Sequence, residues 1–194
     1  MKRIGLTGNI GTGKSTIARI FEVLGIPVYH ADYQARLILE TSDVVEKIAL
    51  LFGNQIIDAG FRVNRKALAD IVFTDAAKLE TLNKIIHPLV ENDFSNWCEQ
   101  HKYEKYILHE AAILFESGFN RLFDANILVV APDKLCISRV MERDSVTKEM
   151  VMNRINNQWP QEKKQSLADY LIINDGLVMI IPQILTIHHK ICSV

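Results

Sequence analysis

The stretch Leu6 to Thr16, LTGNIGTGKST, decides how the rest of the chain is read. Gly8, Gly13, Lys14 and Ser15 fill every fixed place of G-x-x-x-x-G-K-[ST], with apolar Ile4-Gly5-Leu6 ahead and the helix-forming run IARIFEVL, from Ile17 to Leu24, behind. The spacing predicts a strand, a phosphate-cradling loop and a helix, in that order. The alternative is a glycine turn that ends in Lys-Ser by chance, and the agreement of both flanks with the loop weighs against it.

The residue types follow from the task. Consecutive backbone N–H groups at a helix N-terminus have no partner within the helix, and the positive end of the helix dipole adds to their attraction for an anion. Gly8, Gly11 and Gly13 let the backbone turn tightly and come close to phosphate oxygens. Lys14 is expected to bridge the β- and γ-phosphates of a bound polyphosphate, and the Ser15 hydroxyl to take one coordination position on Mg2+, a cation that prefers oxygen donors and substrate phosphates. Gly11, Thr12, Gly13, Lys14, Ser15 and Thr16 are thus the candidate nucleotide-binding run.

Working outward, short apolar runs alternate with helix-length segments. RIGLT, IPVYHA, KYILHEA, NILVVA and YLIIN read as strands, and their continuous hydrophobicity suits parallel strands covered on both faces. The expected fold is α/β: three layers around a central parallel five-stranded sheet, with ligands at the C-terminal ends of the strands. Two stretches depart from the rhythm. Residues 33–101 carry amphipathic helices and no convincing strand, with breaks expected near FGNQIIDAGF and at His87-Pro88. Residues 133–168 carry SRVMERDSVTKEMVMNRINNQ, a mobile basic lid by composition, with Arg139, Arg143 and Arg154 spaced for neighbouring helices. The 194 residues are read as one domain, with a core at about 1–32, 102–132 and 169–194.

Composition bounds the rest. With 48% hydrophobic and 23% charged residues the chain is an ordinary globular one, and its net charge of −1 excludes the positive field of a non-specific nucleic-acid binder. Met1-Lys2 runs directly into the first apolar segment and no apolar run nears ~20 residues, so neither a signal peptide nor a membrane span is expected. A cytoplasmic monomer or weak homo-oligomer is the resulting expectation. Cys98, Cys136 and Cys192 are far apart and lack a C-x-x-C pair, so they read as small apolar residues.

Two acidic residues follow strands. Asp32, after IPVYHA, has two compatible readings: a base that accepts the proton of an attacking hydroxyl, and the N-cap of a helix beginning at Tyr33. Arg36, one turn on, is a substrate ligand or a solvated helix residue. Glu110 closes KYILHE, where an acidic residue orders Mg2+ in many P-loop proteins; a solvent-facing carboxylate is the plainer alternative. The lid arginines suit stabilisation of charge on a transferred phosphoryl group, though arginines on a polar helix are usually only solvated.

Taken together, IGLTGNIGTGKST, HADYQAR, NRKALADIVF, LNKIIHPLV, ILFESG, SRVMERD and ADYLIINDG, in this order, resemble the dephospho-coenzyme A kinases over nearly the whole chain. The P-loop alone is generic; the joint order of A-D-x-x-A-R, I-x-H-P-L-V, L-F-E and A-D-x-x-I-x-N-D-G is not. The resemblance implies transfer of a phosphoryl group from ATP to the ribose 3′-hydroxyl of dephospho-coenzyme A, the last step of coenzyme A biosynthesis. It implies Asp32 as base, Lys14 as phosphate clamp and Arg139 as the lid arginine nearest the transferred phosphate, with Arg143 next. It implies Arg36, Arg65, His87, Leu114, Phe115 and Glu116 on the acceptor and Asn174 and Gly176 against the adenine. The helical insertion is then the acceptor-binding part.

The chain departs from the family pattern at three places: His30 where Asp is frequent, EAAILFE where D-x-P-L-L-F-E is usual, and Cys136 where Gln is common. Glu110 is a methylene longer than Asp, so its reach to Mg2+ is expected through water. Two rival readings are a P-loop kinase for another small molecule and a nucleotide-dependent switch. The insertion motifs argue against the first, and the absence of N-K-x-D, whose nearest string is NKII at Asn83–Ile86, against the second.

Overall fold

The computed structural model describes residues 1–72 and 74–193; Phe73, the last residue of NRKALADIVF, and Val194 lie outside the described residues. Five strands, β1 (Lys2–Thr7), β2 (Val28–His30), β3 (Tyr106–Glu110), β4 (Ala125–Val130) and β5 (Tyr170–Ile173), form one sheet in the order β2-β3-β1-β4-β5. Every pairing is parallel, with Leu6 opposite both Glu110 and Ile127, and His30 opposite Glu110. The expected strands all form. β3 is buried at every residue, as a strand near the centre of a covered parallel sheet must be.

Helix α1 (Lys14–Val23) follows β1, and α9 (Ile180–Ser193) closes the chain. Their apolar faces pack over the sheet: Ile17, Ala18 and Phe21 of α1 and Ile184, Ile187 and Ile191 of α9 share a cluster with Ile4, Leu6, Leu108, Ile127, Val129 and Ile172. Burying each such side chain contributes about 1.5–3 kcal/mol before entropy is charged against it. The lid segment forms three helices, α6 (Asp133–Asp144), α7 (Lys148–Asn156) and the single turn and a half of α8 (Gln161–Gln165).

Backbone contacts divide the chain into two compact units, Met1–His30 with His101–Val194, and Ala31–Gln100. The second is helical: α2 (Ala31–Ile38), α3 (Ser42–Phe52), a 3-10 turn Asn54–Ile56, α4 (Arg65–Val72) and α5 (Ala76–Gln100). The chain does break within FGNQIIDAGF, where Gly53 ends α3 at φ 89° and Ile57 bridges Val63.

The break expected at His87-Pro88 does not occur: α5 runs through Pro88 without ending. An interior proline costs about 3 kcal/mol through one lost hydrogen bond and a ring clash. On both sides of it Ile85, Ile86, Val90, Phe94 and Cys98 are buried, with Ile86, Val90, Phe94 and Cys98 at four-residue spacing. That apolar seam offsets the local penalty, so tertiary packing overrides the local signal. A second correction concerns Asp32. α2 starts at Ala31, directly after β2, so Asp32 lies in the first turn rather than at the N-cap; there its negative charge still favours the helix dipole.

Candidate functional site

The loop between β1 and α1 is built as the sequence demands. Gly13 caps α1 in the left-handed region at φ 92°, and its carbonyl accepts the N–H groups of Thr16 and Ile17. Gly11 also lies at positive φ, and a Cβ there would fall 2.5 Å from the Cys136 carbonyl oxygen, so only glycine fits. Thr12 is fully buried; its hydroxyl donates to the Asn9 carbonyl at 2.8 Å. The Thr12 N–H also donates to the Asn9 carbonyl, at 3.2 Å, so both its side chain and its N–H serve to shape the loop.

Arg139, on α6, and Asn174, just beyond β5, reach the same loop from outside. The Arg139 guanidinium donates to the Asn174 carbonyl at 3.1 Å, and at longer range to Asn174 Oδ1 (3.4 Å) and the Gly11 carbonyl (3.5 Å). Asn174 Nδ2 donates to the Thr12 carbonyl at 2.7 Å. Thus Gly11, Thr12, Arg139 and Asn174 are brought together. Gly176 follows at φ 83° in a turn where Asp175 accepts the N–H groups of Leu177 and Val178, which hold its carboxyl below the usual range.

Arg143 faces elsewhere. It is exposed and pairs with Asp144 through both Nε (2.7 Å) and Nη2 (3.1 Å), and Arg154 of α7 joins the same carboxylate at 2.7 Å. The Arg143 hydrogen bonds, with help from Arg154, hold Asp144 down at about 2. The three side chains form a clamp at the α6–α7 corner.

Glu110 does not face solvent. It is 6% exposed, and its Oε2 meets His30 Nδ1 at 3.1 Å, while His30 Nε2 meets Glu22 Oε1 of α1 at 3.0 Å. Two carboxylates on one ring favour the doubly protonated imidazolium. Burial opposes that charge, but the hydrogen bonds to Glu22 and Glu110 outweigh it and raise the His30 pKa. An open depression of about 560 Å³ passes Ser15, Arg19, Glu22 and His30. The sequence marks His30 only as a departure from a pattern and Glu110 only as a strand-end carboxylate; that His30 pairs with Glu22 and Glu110, which lie on other elements, carries no signal in the sequence.

Leu114 and Phe115 are core residues, 0% and 2% exposed. Glu116 Oε1 pairs with the fully buried Lys164 Nζ at 2.5 Å and accepts the Trp159 N–H at 3.0 Å. Lys164 was missed by sequence reasoning, since a lysine among KK in a polar helix gives no hint of burial.

In the helical unit Asp32 and Arg36 are exposed in the first and last turns of α2. Arg65 opens α4 and is ion-paired with Glu40. His87 is half-buried in α5, and burial pushes its pKa down.

A glycine-rich loop joining a central strand to a helix in an all-parallel five-stranded sheet, with a guanidinium braced against that loop, defines a P-loop kinase. Structural likeness agrees at the level of fold: a shikimate kinase from Acinetobacter baumannii superposes with a TM-score of 0.55 at 15% identity over 100% of this chain and 94% of that one. The family model described as Dephospho-CoA kinase matches residues 2–179, and the chain belongs to that family. A dephospho-CoA kinase of Bacteroides fragilis strain YCH46 is 37% identical over 98% of this chain and 97% of its own, and one of Fusobacterium nucleatum is 38% identical over 89% of each. Among solved structures, TT1252 from Thermus thermophilus is similar at a TM-score of 0.85 and 30% identity, covering 99% of this chain and 96% of that one. A dephospho-CoA kinase from Campylobacter jejuni is similar at 0.71 and 26%, covering 98% and 97%.

Proposed function

We propose the residue roles by which this chain carries out its family's reaction. It is a kinase that phosphorylates dephospho-coenzyme A at the expense of ATP, the last step of coenzyme A biosynthesis. The observation that carries the site reading is the loop Gly8–Ser15 itself, set at the N-terminus of α1 and braced by Arg139 and Asn174. The N–H groups of Gly11, Gly13, Lys14 and Ser15 hold the phosphates of ATP, and Lys14 neutralises charge on the β- and γ-groups. Arg139 turns part of its guanidinium to the transferred group, whose charge it stabilises. Asn174 and Gly176 line the adenine, and Thr16 completes the nucleotide run.

On the acceptor side we assign Asp32 as the base that takes the proton from the ribose 3′-hydroxyl. Arg36, Arg65 and His87 bind the rest of dephospho-coenzyme A, and Ala31–Gln100 is the acceptor-binding unit. Leu114, Phe115 and Glu116 support that side by fixing the loop after β3, consistent with their burial and with the Glu116–Lys164 pair. Arg143, tied to Asp144, becomes a nucleotide contact only by releasing that pair.

Mg2+ fits the oxygen donors present. Ser15 offers a hydroxyl and Glu110 a carboxylate, while no cluster of three or more His, Cys, Asp or Glu able to hold a metal occurs among the described residues. A cation that keeps its waters and takes most other ligands from phosphate suits such a sparse set. When bound it would neutralise phosphate charge. No helix among the described residues is long and apolar enough to cross a membrane.

The Asp32 role is tested by Asp32→Asn. Asn keeps the size of Asp but loses the charge that favours the helix dipole, worth about 0.3–1 kcal/mol, and takes up no proton at neutral pH, so the melting temperature should fall only slightly and both substrate affinities should hold while kcat falls roughly 10²-fold or more. A fall below ~10-fold would assign Asp32 to positioning the hydroxyl instead.

A further inference from the structure

The segment after α7, Gln158-Trp159-Pro160-Gln161, crosses back to the nucleotide loop from 148 to 150 residues away in sequence. Gln158 Oε1 accepts the Ile10 N–H at 2.8 Å, and Gln158 Nε2 donates to the Ala112 carbonyl at 3.1 Å. The Trp159 carbonyl accepts from Asn9 Nδ2 at 3.1 Å. Gln161 fastens the other end to Ala131, accepting its N–H at 3.2 Å and donating to its carbonyl at 3.0 Å. Beneath this strap, Lys164 Nζ and the Trp159 N–H both meet Glu116 Oε1, and Lys163 Nζ lies 3.3 Å from the centre of the Trp159 ring.

The nucleotide loop is therefore gripped from two sides. Arg139 and Asn174 hold the carbonyls of Gly11 and Thr12, and the strap holds Asn9 and the Ile10 N–H. A loop that presents its N–H groups to phosphate works only if its peptide planes already point the right way, because reorienting them on binding costs affinity. Ile10 spends its N–H on Gln158 rather than on a ligand. Its peptide plane is thereby fixed, and with it the direction in which Gly11 to Ser15 leave.

We propose that Gln158 is a positioning residue for the reaction: its carboxamide sets the nucleotide loop in its phosphate-binding shape and ties that loop to the segment after β3. The carboxamide suits this place because it must accept from one peptide and donate to another, which neither a carboxylate nor an ammonium does. The buried Lys164–Glu116 pair keeps the strap in register; burial lowers the lysine's pKa and Glu116 opposes that shift. Glu116 Oε2 has no hydrogen-bond partner among the described residues, so the pair rests on Oε1 alone; losing that contact would leave a buried charge unpaired, which favours one arrangement of the strap.

The inference rests on the reading that Gly8–Ser15 hold the phosphates of ATP. The test is competitive inhibition against ATP by two probes, inorganic tripolyphosphate and adenosine, in wild type, Gln158→Ala, Gln158→Met and Lys14→Ala, each with a melting curve. Met keeps the length and bulk of Gln without its polar atoms, and serves if the Ala variant does not fold. The expected result is a tripolyphosphate inhibition constant raised about tenfold in a folded Gln158 variant, as the loss of a bridging pair of hydrogen bonds would give, with that of adenosine unchanged. Equal weakening of both probes, or of neither, overturns the role of Gln158. If Lys14→Ala also leaves tripolyphosphate inhibition unchanged, the phosphate-site reading itself falls; a large loss there with none in the Gln158 variants removes only the positioning role.

Discussion

Lys14 stands at the first position of α1, where its charge adds to the positive end of the helix dipole. Lys14→Ala should lower turnover by a few orders of magnitude in a folded protein, since each electrostatic contribution of this kind is worth ~3–4 kcal/mol. Near wild-type turnover would remove Lys14 from the site. The histidines give a second test at this scale, by NMR titration of the ring protons. His30, between Glu22 and Glu110, should titrate above 6.5, and His87 and His109 below it, His109 at about 4 because it is buried between Tyr29 and Phe123. The signs follow by linkage. The raised His30 pKa contributes stability that is present below 6.5 and lost as pH rises through the folded value. The depressed His87 and His109 contribute stability that is present above 6.5 and lost as pH falls through theirs. Melting temperature should therefore decline on both sides of about 6.5, the ordinary value for histidine, and a His30→Gln variant should lose the decline on the alkaline side alone.

Among elements, the lid helices α6 and α7 sort their arginines by partner. Arg139 reaches the nucleotide loop, whereas Arg143 and Arg154 are held by Asp144 at the surface. Arg139→Ala should lower kcat at least 10²-fold while weakening ATP binding no more than about tenfold, because the group that braces the loop also engages the transferred phosphoryl, and that second contact acts in the transition state. Arg154→Ala should change kcat less than threefold, since an exposed ion pair is worth only about 0.2–1 kcal/mol. Equal small effects from both would mean that α6 presents a solvated face. What was legible at this scale was whatever is local. The glycines of the loop, the five apolar runs and the stop at Gly53 are short-range signals, and each produced its element. Pro88 was misread because the seam that carries α5 past it is a property of tertiary packing. The Gln158–Ile10 and Lys164–Glu116 contacts join segments far apart in sequence, and although Ile10 and Glu116 lie in marked motifs, neither Gln158 nor Lys164 has a distinctive neighbour. His30 was visible only as an unusual residue, and its two carboxylate partners required the sheet register that sets it opposite Glu110.

For the whole molecule, the central claim is that this chain uses a P-loop core to move a phosphoryl group from ATP to the 3′-hydroxyl of dephospho-coenzyme A. The core alone is shared with kinases of other small acceptors, as the likeness to a shikimate kinase fold shows. Family membership over residues 2–179, which takes in the whole helical unit, is what distinguishes this chain from them. The most direct measurement is ADP release from Mg-ATP by the purified protein with and without dephospho-coenzyme A, with 31P NMR of the product. The account predicts ADP formation that depends on the acceptor, matches it mole for mole, and yields one new phosphomonoester at the ribose 3′ position. ADP release that is indifferent to dephospho-coenzyme A, or a phosphate appearing at any other position, would contradict it.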